Sequence, residues 1–255
     1  METFLDLIDV NYTYHTPEGE TPALTDISFT VENGEFIAIV GPSGSGKSTL
    51  LNLICGLIRP SSGQILLNGN EITETRPEIG YMLQKDHLFE WRTVFSNILL
   101  GLEIQNRLTD DAIQKAENLL GIYGLSGFKN ARPSELSGGM RQRAALIRTL
   151  VLEPQLLLLD EPFSALDYQT RLSVCDDIGT IIRKEQKTAI LVTHDLSEAI
   201  SMADRVIVLT SRPGTVKADI PILLDICDRT PFKSRNAPNF REYFNRIWKE
   251  LNVHA

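Results

Sequence analysis

Apolar positions recur along the chain in three rhythms. Weak alternation from Phe4 to Val10 and clear alternation from Leu24 to Val31, with Ile27, Phe29 and Val31 on one face, predict half-buried strands. The continuous apolar runs Phe36-Ile37-Ala38-Ile39-Val40 and Leu156 to Leu159 predict strands buried on both faces, as in a parallel sheet. Helical spacing dominates between Lys85 and Glu153. There Thr109 to Leu120 opens on a capping threonine followed by Asp110 and Asp111, and Gly138 to Val151 sets Met140, Ala144, Ile147 and Val151 on one face.

The remaining stretches fill in the order of elements. A polar loop is expected from His15 to Pro22, and a hairpin turn at Glu32-Asn33-Gly34-Glu35. Leu50 to Leu57 reads as a helix, Arg59 to Gly63 as a break, and Gln64 to Leu67 as a short strand closed by Asn68-Gly69. Another strand, Ile79 to Leu83, ends at Gln84. After Leu159 come helix Leu166 to Arg183, strand Thr188 to Val192, helix Leu196 to Met202 and strand Val206 to Leu209. This alternation implies an α/β protein with a parallel sheet, and the helical block in its middle implies an inserted subdomain. Phe240, Tyr243, Phe244, Ile247, Trp248 and Leu251 fall at helical spacing, which suits packing on the chain's own body or a partner-facing helix.

One stretch adds chemistry. Gly41-Pro42-Ser43-Gly44-Ser45-Gly46-Lys47-Ser48-Thr49 lies between a buried strand and a helix, the context of a phosphate-binding P-loop. Its glycines allow a tight turn that brings backbone N–H groups close to an anion, and the following helix adds its positive N-terminal end. Lys47 can reach the terminal phosphates, and the Ser48 hydroxyl can bind Mg²⁺. A Gly/Ser-rich turn without a ligand is the bland alternative, and Lys followed by Ser at this spacing argues against it. The chain is therefore expected to bind a nucleoside triphosphate.

Bulk properties narrow the classes. The formal charge of -8 over 255 residues argues against a nucleic-acid partner. Cys55, Cys175 and Cys227 are odd in number and scattered, which suggests buried thiols in a reducing compartment and no clustered metal site. Met1 to Asp6 lacks a signal-peptide pattern, and no apolar run approaches the ~20 residues of a membrane span, so a membrane role is expected to come through a partner.

Three further features lie after the P-loop. Leu156 to Leu159 ends in Asp160-Glu161; Asp160 would hold Mg²⁺ through water, and Glu161 could act as base toward the attacking water. Ser137-Gly138-Gly139 opens a helix. Ser137 is a good cap, but two glycines are poor helix formers, which makes sense if a phosphate approaches the backbone there. His194 follows a buried strand, where ligands bind in such sheets.

With these motifs in order across residues 1 to about 215, the sequence resembles the ATP-binding cassette (ABC) ATPases. The resemblance assigns Tyr14 to adenine stacking, Gly41 to Thr49 to Walker A, Gln84 to the Q-loop and a Mg²⁺ contact, and Leu136 to Gly139 to the signature. It assigns Asp160-Glu161 to Walker B with its catalytic glutamate, Ser164-Ala165-Leu166-Asp167 to the D-loop, and His194 to the switch histidine. It implies a P-loop NTPase (RecA-like) parallel-sheet core with an N-terminal antiparallel β subdomain and a helical subdomain inserted at about 87–154. The ABC domain would span residues 1–220, with a short extension at 221–255. Two subunits would face head to tail, each ATP lying between Lys47 of one copy and Ser137, Gly138 and Gly139 of the other.

Within the family, Leu83 to Val94 and Ser211-Arg212-Pro213-Gly214 look like importers of the nitrate, sulfonate and taurine group. This implies a permease partner whose coupling helix meets Leu88 to Trp91, an extracytoplasmic solute-binding protein, and a place on the cytoplasmic face of the membrane. Packing of Phe89 and Trp91 inside the helical subdomain is the competing reading. Glu90 stands where proline is frequent, and Met140 where the signature usually has glutamine. The tail is too short for a regulatory β-barrel domain. A soluble ABC ATPase with a non-transport role is the alternative, although no fused cassette, coiled-coil insertion or basic patch points to it.

Overall fold

A computed structural model describes residues 3–17, 19–164 and 166–252. In chain order the strands and helices are β1 (Thr3–Thr16), β2 (Gly19–Glu32), β3 (Phe36–Val40), α1 (Lys47–Ile54), β4 (Ser62–Leu67), β5 (Asn70–Glu71), β6 (Ile79–Met82), α2 (Val94–Ile104) and α3 (Asp110–Ile122). They continue as α4 (Gly138–Leu150), β7 (Leu156–Asp160), α5 (Tyr168–Lys184), β8 (Thr188–Val192), α6 (Leu196–Met202), β9 (Arg205–Leu209), β10 (Val216–Pro221), α7 (Pro231–Ser234) and α8 (Phe240–Asn252). The chain forms two compact units: one comprises residues up to Arg76 and from Gly179, the other Pro77–Ile178.

The first unit holds an antiparallel sheet in the order β2-β1-β4-β5. It also holds β3 between β8 and β9, parallel to both, with β10 antiparallel on the far side of β9. Every residue of β3 and β8 is buried, as their unbroken apolar runs require. The second unit pairs β6 with β7 in parallel and carries α2, α3 and α4. Parallel strands beside an antiparallel sheet make the P-loop NTPase fold expected from the sequence.

Three local expectations are corrected. The polar stretch from His15 to Pro22 is largely strand, for Tyr14, His15 and Thr16 pair with Thr21, Glu20 and Gly19. Ladder hydrogen bonds need no apolar side chain, so the hairpin extends beyond its buried part. Glu32 to Glu35 is a tight turn, closed by Glu35 N–H on Glu32 O at 3.1 Å, but not a hairpin. β2 pairs with β1, whereas β3 joins β8 and β9. The change from alternating to continuous apolar residues at Phe36 marks that passage between sheets. The helix expected from Leu50 to Leu57 runs instead from Lys47 to Ile54, because Gly46 at φ 88 ends the loop directly before Lys47 and Gly56 at φ 75 turns the chain out.

The C-terminal segment packs within the first unit. Ile247 of α8 is buried, Lys217 donates to Glu250 O, and the Tyr243 hydroxyl donates to Leu223 O at 3.2 Å. Arg229 anchors the chain ahead of α7, donating to Asp204 Oδ1 and to the carbonyls of Ile222, Ile200 and Ala203. Asp204 also accepts from Phe36 N–H, the first residue of β3, at 3.0 Å. Cys55 and Cys175 are buried as expected; Cys227 is exposed, because it lies in the irregular segment between β10 and α7.

Candidate nucleotide site

In the first unit the loop after β3 has the geometry expected of an anion cradle. Gly44 and Gly46 lie at φ 80 and φ 88, where only glycine is comfortable. Pro42, Ser43, Gly44 and Ser48 are exposed, while Ser45 is buried. Lys47 is only 9% exposed, and its Nζ donates to Gly41 O at 2.8 Å and Pro42 O at 2.9 Å. The ammonium thus braces the loop from within while the backbone above it stays open.

Neighbours fix the loop from outside. A Cβ on Gly46 would meet Leu24 Cδ2 at 2.6 Å, and one on Gly214 would meet Ser45 O at 2.1 Å. Gly214 is itself tied to β2, donating to Ala23 O and accepting from Thr25 N–H, both at 2.9 Å. The Ser211 to Gly214 stretch therefore has a local role in pressing on the phosphate loop. Tyr14 leaves part of its ring exposed, packs edge-on against Tyr12, and bonds Thr49 Oγ1 through its hydroxyl at 2.9 Å. His194 is exposed just beyond β8. The turn that carries it is locked: Thr193 Oγ1 donates to buried Glu198 at 2.6 Å, and Asp195 caps α6 by accepting from Ser197 N–H at 2.7 Å.

In the second unit β7 delivers Asp160, 7% exposed, with the Tyr81 hydroxyl 3.4 Å from its Oδ2. Glu161 adopts φ 44, a conformation unusual for a side-chain-bearing residue. Its carbonyl accepts from Ser164 N–H and Ser164 Oγ, and its carboxylate accepts from Gln84 Nε2 at 2.9 Å. Sequence reasoning missed Tyr81, whose only signal was its alternation with Met82 on the strand.

Ser137 is exposed and caps α4, accepting from Met140 N–H. Gly139 is buried, and a Cβ there would come within 2.4 Å of Thr170 Cγ2. Packing against α5 is thus a reason for this glycine, beside the expected approach of a phosphate. Ala165 of the D-loop lies outside the described residues. Asp167 accepts from Thr170 N–H, and hydrogen bonding by Thr170 holds its carboxyl below the usual carboxylate range. Leu88 is buried, whereas Trp91 is 71% exposed and stacks obliquely on Phe89, ring centroids 4.7 Å apart.

A braced glycine loop at a helix start and acidic residues ending a buried strand define a P-loop nucleotide-binding protein. The chain belongs to the ABC transporter family, whose pattern matches residues 24–164. It is an ATP-binding subunit of that family, an ATPase coupled to transport. It is 48% identical over 250 residues to an uncharacterized ABC transporter ATP-binding protein, YtlC, of Bacillus subtilis, covering 98% of this chain and 96% of the other. It is 40% identical to the nitrate import ATP-binding protein NrtD of Synechocystis sp. (95% and 93% covered) and 41% identical to the taurine import ATP-binding protein TauB of Pelagibacter ubique (95% and 95%). A solved dimeric post-hydrolysis cassette, MJ0796 bound to ADP and phosphate, superposes with a TM-score of 0.75 at 30% identity, covering 86% of this chain and 99% of that one. Among the described residues no helix is long and apolar enough to cross a membrane.

Proposed function

We propose that two copies of the chain assemble head to tail around two ATP molecules and drive a permease that imports a small solute of the nitrate, sulfonate or taurine kind. The carrying observation is the exposed, serine-capped start of α4. It offers a hydroxyl and helix N–H groups to the phosphate of a second copy's ATP. The names of relatives matched over nearly the whole chain support the solute class.

In this reading Tyr14 stacks on adenine, and Gly41, Pro42, Ser43, Gly44, Ser45, Gly46 and Thr49 enclose the phosphates. Lys47 swings from the loop carbonyls to the terminal phosphates. Ser137, Gly138 and Gly139 act in trans. Glu161 accepts a proton from the attacking water, Gln84 and His194 orient the reactants, and Asp167 serves the D-loop. The open loop and the two left-handed glycines fit a triphosphate. Ser48, Gln84 and Asp160 are an all-oxygen donor set of the kind Mg²⁺ takes, and the ion would supply a Lewis acid at the phosphates. These assignments follow the order of the family's motifs. Phe89 and Trp91 dock on the permease, a solute-binding protein supplies the other side of the membrane, and the subunit works at the cytoplasmic face without nucleic acid.

The test is co-purification of tagged chain from solubilised membranes, followed by uptake of labelled nitrate, taurine and alkyl sulfonates in vesicles. A stoichiometric multi-span permease, lost with Trp91→Ala while ATP still binds, is expected. Recovery of soluble partners alone would overturn the importer reading.

A further inference from the structure

The segment that follows Gln84 is pinned to α4 at two points. Asp86 Oδ2 accepts from Arg141 Nε at 3.1 Å. Two turns further along the same helix, Arg148 donates to Asp86 O at 2.6 Å and to His87 O at 2.8 Å. Residues seven apart lie on one face of a helix, so α4 grips the segment along its length. Burial pushes the Arg148 guanidinium below its ordinary range, and Asp86 opposes that shift. Within the segment Leu88 N–H bonds Asp86 Oδ1 at 3.1 Å.

Arg141 has a second attachment. Its Nη1 donates to Leu136 O at 2.9 Å, the carbonyl immediately before Ser137. One guanidinium therefore joins the residue two places after Gln84 to the residue one place before Ser137. Gln84 in turn holds the Glu161 carboxylate. A planar guanidinium with several fixed donors can bridge two acceptors in a set geometry, which a lysine cannot reproduce.

We propose that Arg141 is a positioning residue. It couples the hydrogen bond between Gln84 and Glu161 to the placement of Ser137, and so sets how readily a second copy closes on ATP. This rests on the head-to-tail assembly proposed above. In this assignment Arg141 acts through Leu136 and Asp86 and not on the nucleotide directly.

The experiment uses the full chain carrying Glu161→Gln, with dimer formation followed by light scattering as ATP is titrated. Adding Arg141→Ala, which removes both of its bonds, is expected to raise the ATP concentration for half-maximal dimer at least about tenfold, the lower end of the scale for charge-assisted hydrogen bonds. ATP affinity of the dilute single copy should stay within twofold. Arg141→Lys should recover only part of the loss. Asp86→Asn, which keeps the Leu88 bond and the fold, should shift dimerisation in the same direction. Combined with Arg141→Ala it should add little further. Unchanged dimerisation in both Arg141→Ala and Asp86→Asn would overturn the inference while leaving the assembly standing. An equal fall in single-copy ATP affinity would also overturn it, by making Arg141 merely structural. Failure of the Glu161→Gln chain to dimerise at all would overturn the assembly and this inference with it.

Discussion

Gln84 Nε2 stands 2.9 Å from a carboxylate oxygen of Glu161. The Glu161 carboxylate, the base in the proposed reaction, is thus oriented by a neighbour from the end of β6, and its backbone is held at φ 44 by two bonds from Ser164. Replacing Glu161 by Gln keeps the size and an acceptor oxygen for Gln84 but removes the basicity. Hydrolysis should fall at least about a hundredfold, the usual scale for a general base. ATP binding should persist, and the chain should accumulate as an ATP-bound dimer. Light scattering with and without ATP checks this; a monomer with ordinary turnover would remove Glu161 from the role.

Lys47 has a different dual role. It braces Gly41 O and Pro42 O, and it is the cation nearest the start of α1 in the sequence. Lys47→Ala should weaken ATP binding by about tenfold to a hundredfold, the range expected for one or two charge-assisted hydrogen bonds. Titration calorimetry reads the affinity directly. The thermal midpoint should fall only slightly, because Gly214 and Leu24 still press on the loop. Normal affinity would contradict the phosphate-site assignment.

The stretches proposed to bind nucleotide were legible from the sequence because the chemistry of each is local. The glycine loop, Asp160-Glu161 and the capped start of α4 each lie in one short stretch whose flanking apolar runs fix the context. What escaped depended on partners far apart in the chain. Tyr81 with Asp160, Gly214 with Ser45, and Arg141 with Asp86 are separated by 55 residues or more, and no periodicity signals such pairs. The β10 strand was missed for a related reason. Val216–Pro221 contains Lys217, Asp219 and Pro221, and only backbone pairing with β9 makes it a strand.

Gly139 separates two explanations that its sequence position left together. If close packing on Thr170 requires the glycine, Gly139→Ala should destabilise the chain by about 1–3 kcal/mol, as overpacking does. Thr170→Ser removes the offending Cγ2 and keeps the backbone donor to Asp167, so it should restore most of that loss. Urea unfolding of the two single variants and the double variant gives the coupling. A destabilised double variant would assign the glycine to backbone conformation instead. Restored stability with ATP-driven dimerisation still impaired would show that phosphate approach matters as well.

Arg229 carries the last prediction. Burial, reinforced by Arg183, pushes its guanidinium down to about 10, well below the ordinary arginine range, with Asp204 opposing. The charge is therefore costly where it lies, yet removing it takes a donor from three carbonyls and one of two ion-pair partners from Asp204, which keeps Arg183 and Phe36 N–H. Arg229→Met fills the space without donors and should cost about 2–3 kcal/mol at pH 7.5. The pH dependence has a definite sign. From about pH 10 upward the unfolded chain keeps this proton while the folded chain has begun to release it, so the group adds stability as pH rises toward the ordinary arginine value. The methionine variant lacks the term. Its deficit relative to the parent should therefore be constant below pH 9 and widen toward pH 10.5, measured by urea unfolding of both chains at each pH. A deficit that narrows would mean that the folded state favours the charged guanidinium, and that the ion pair with Asp204 outweighs desolvation.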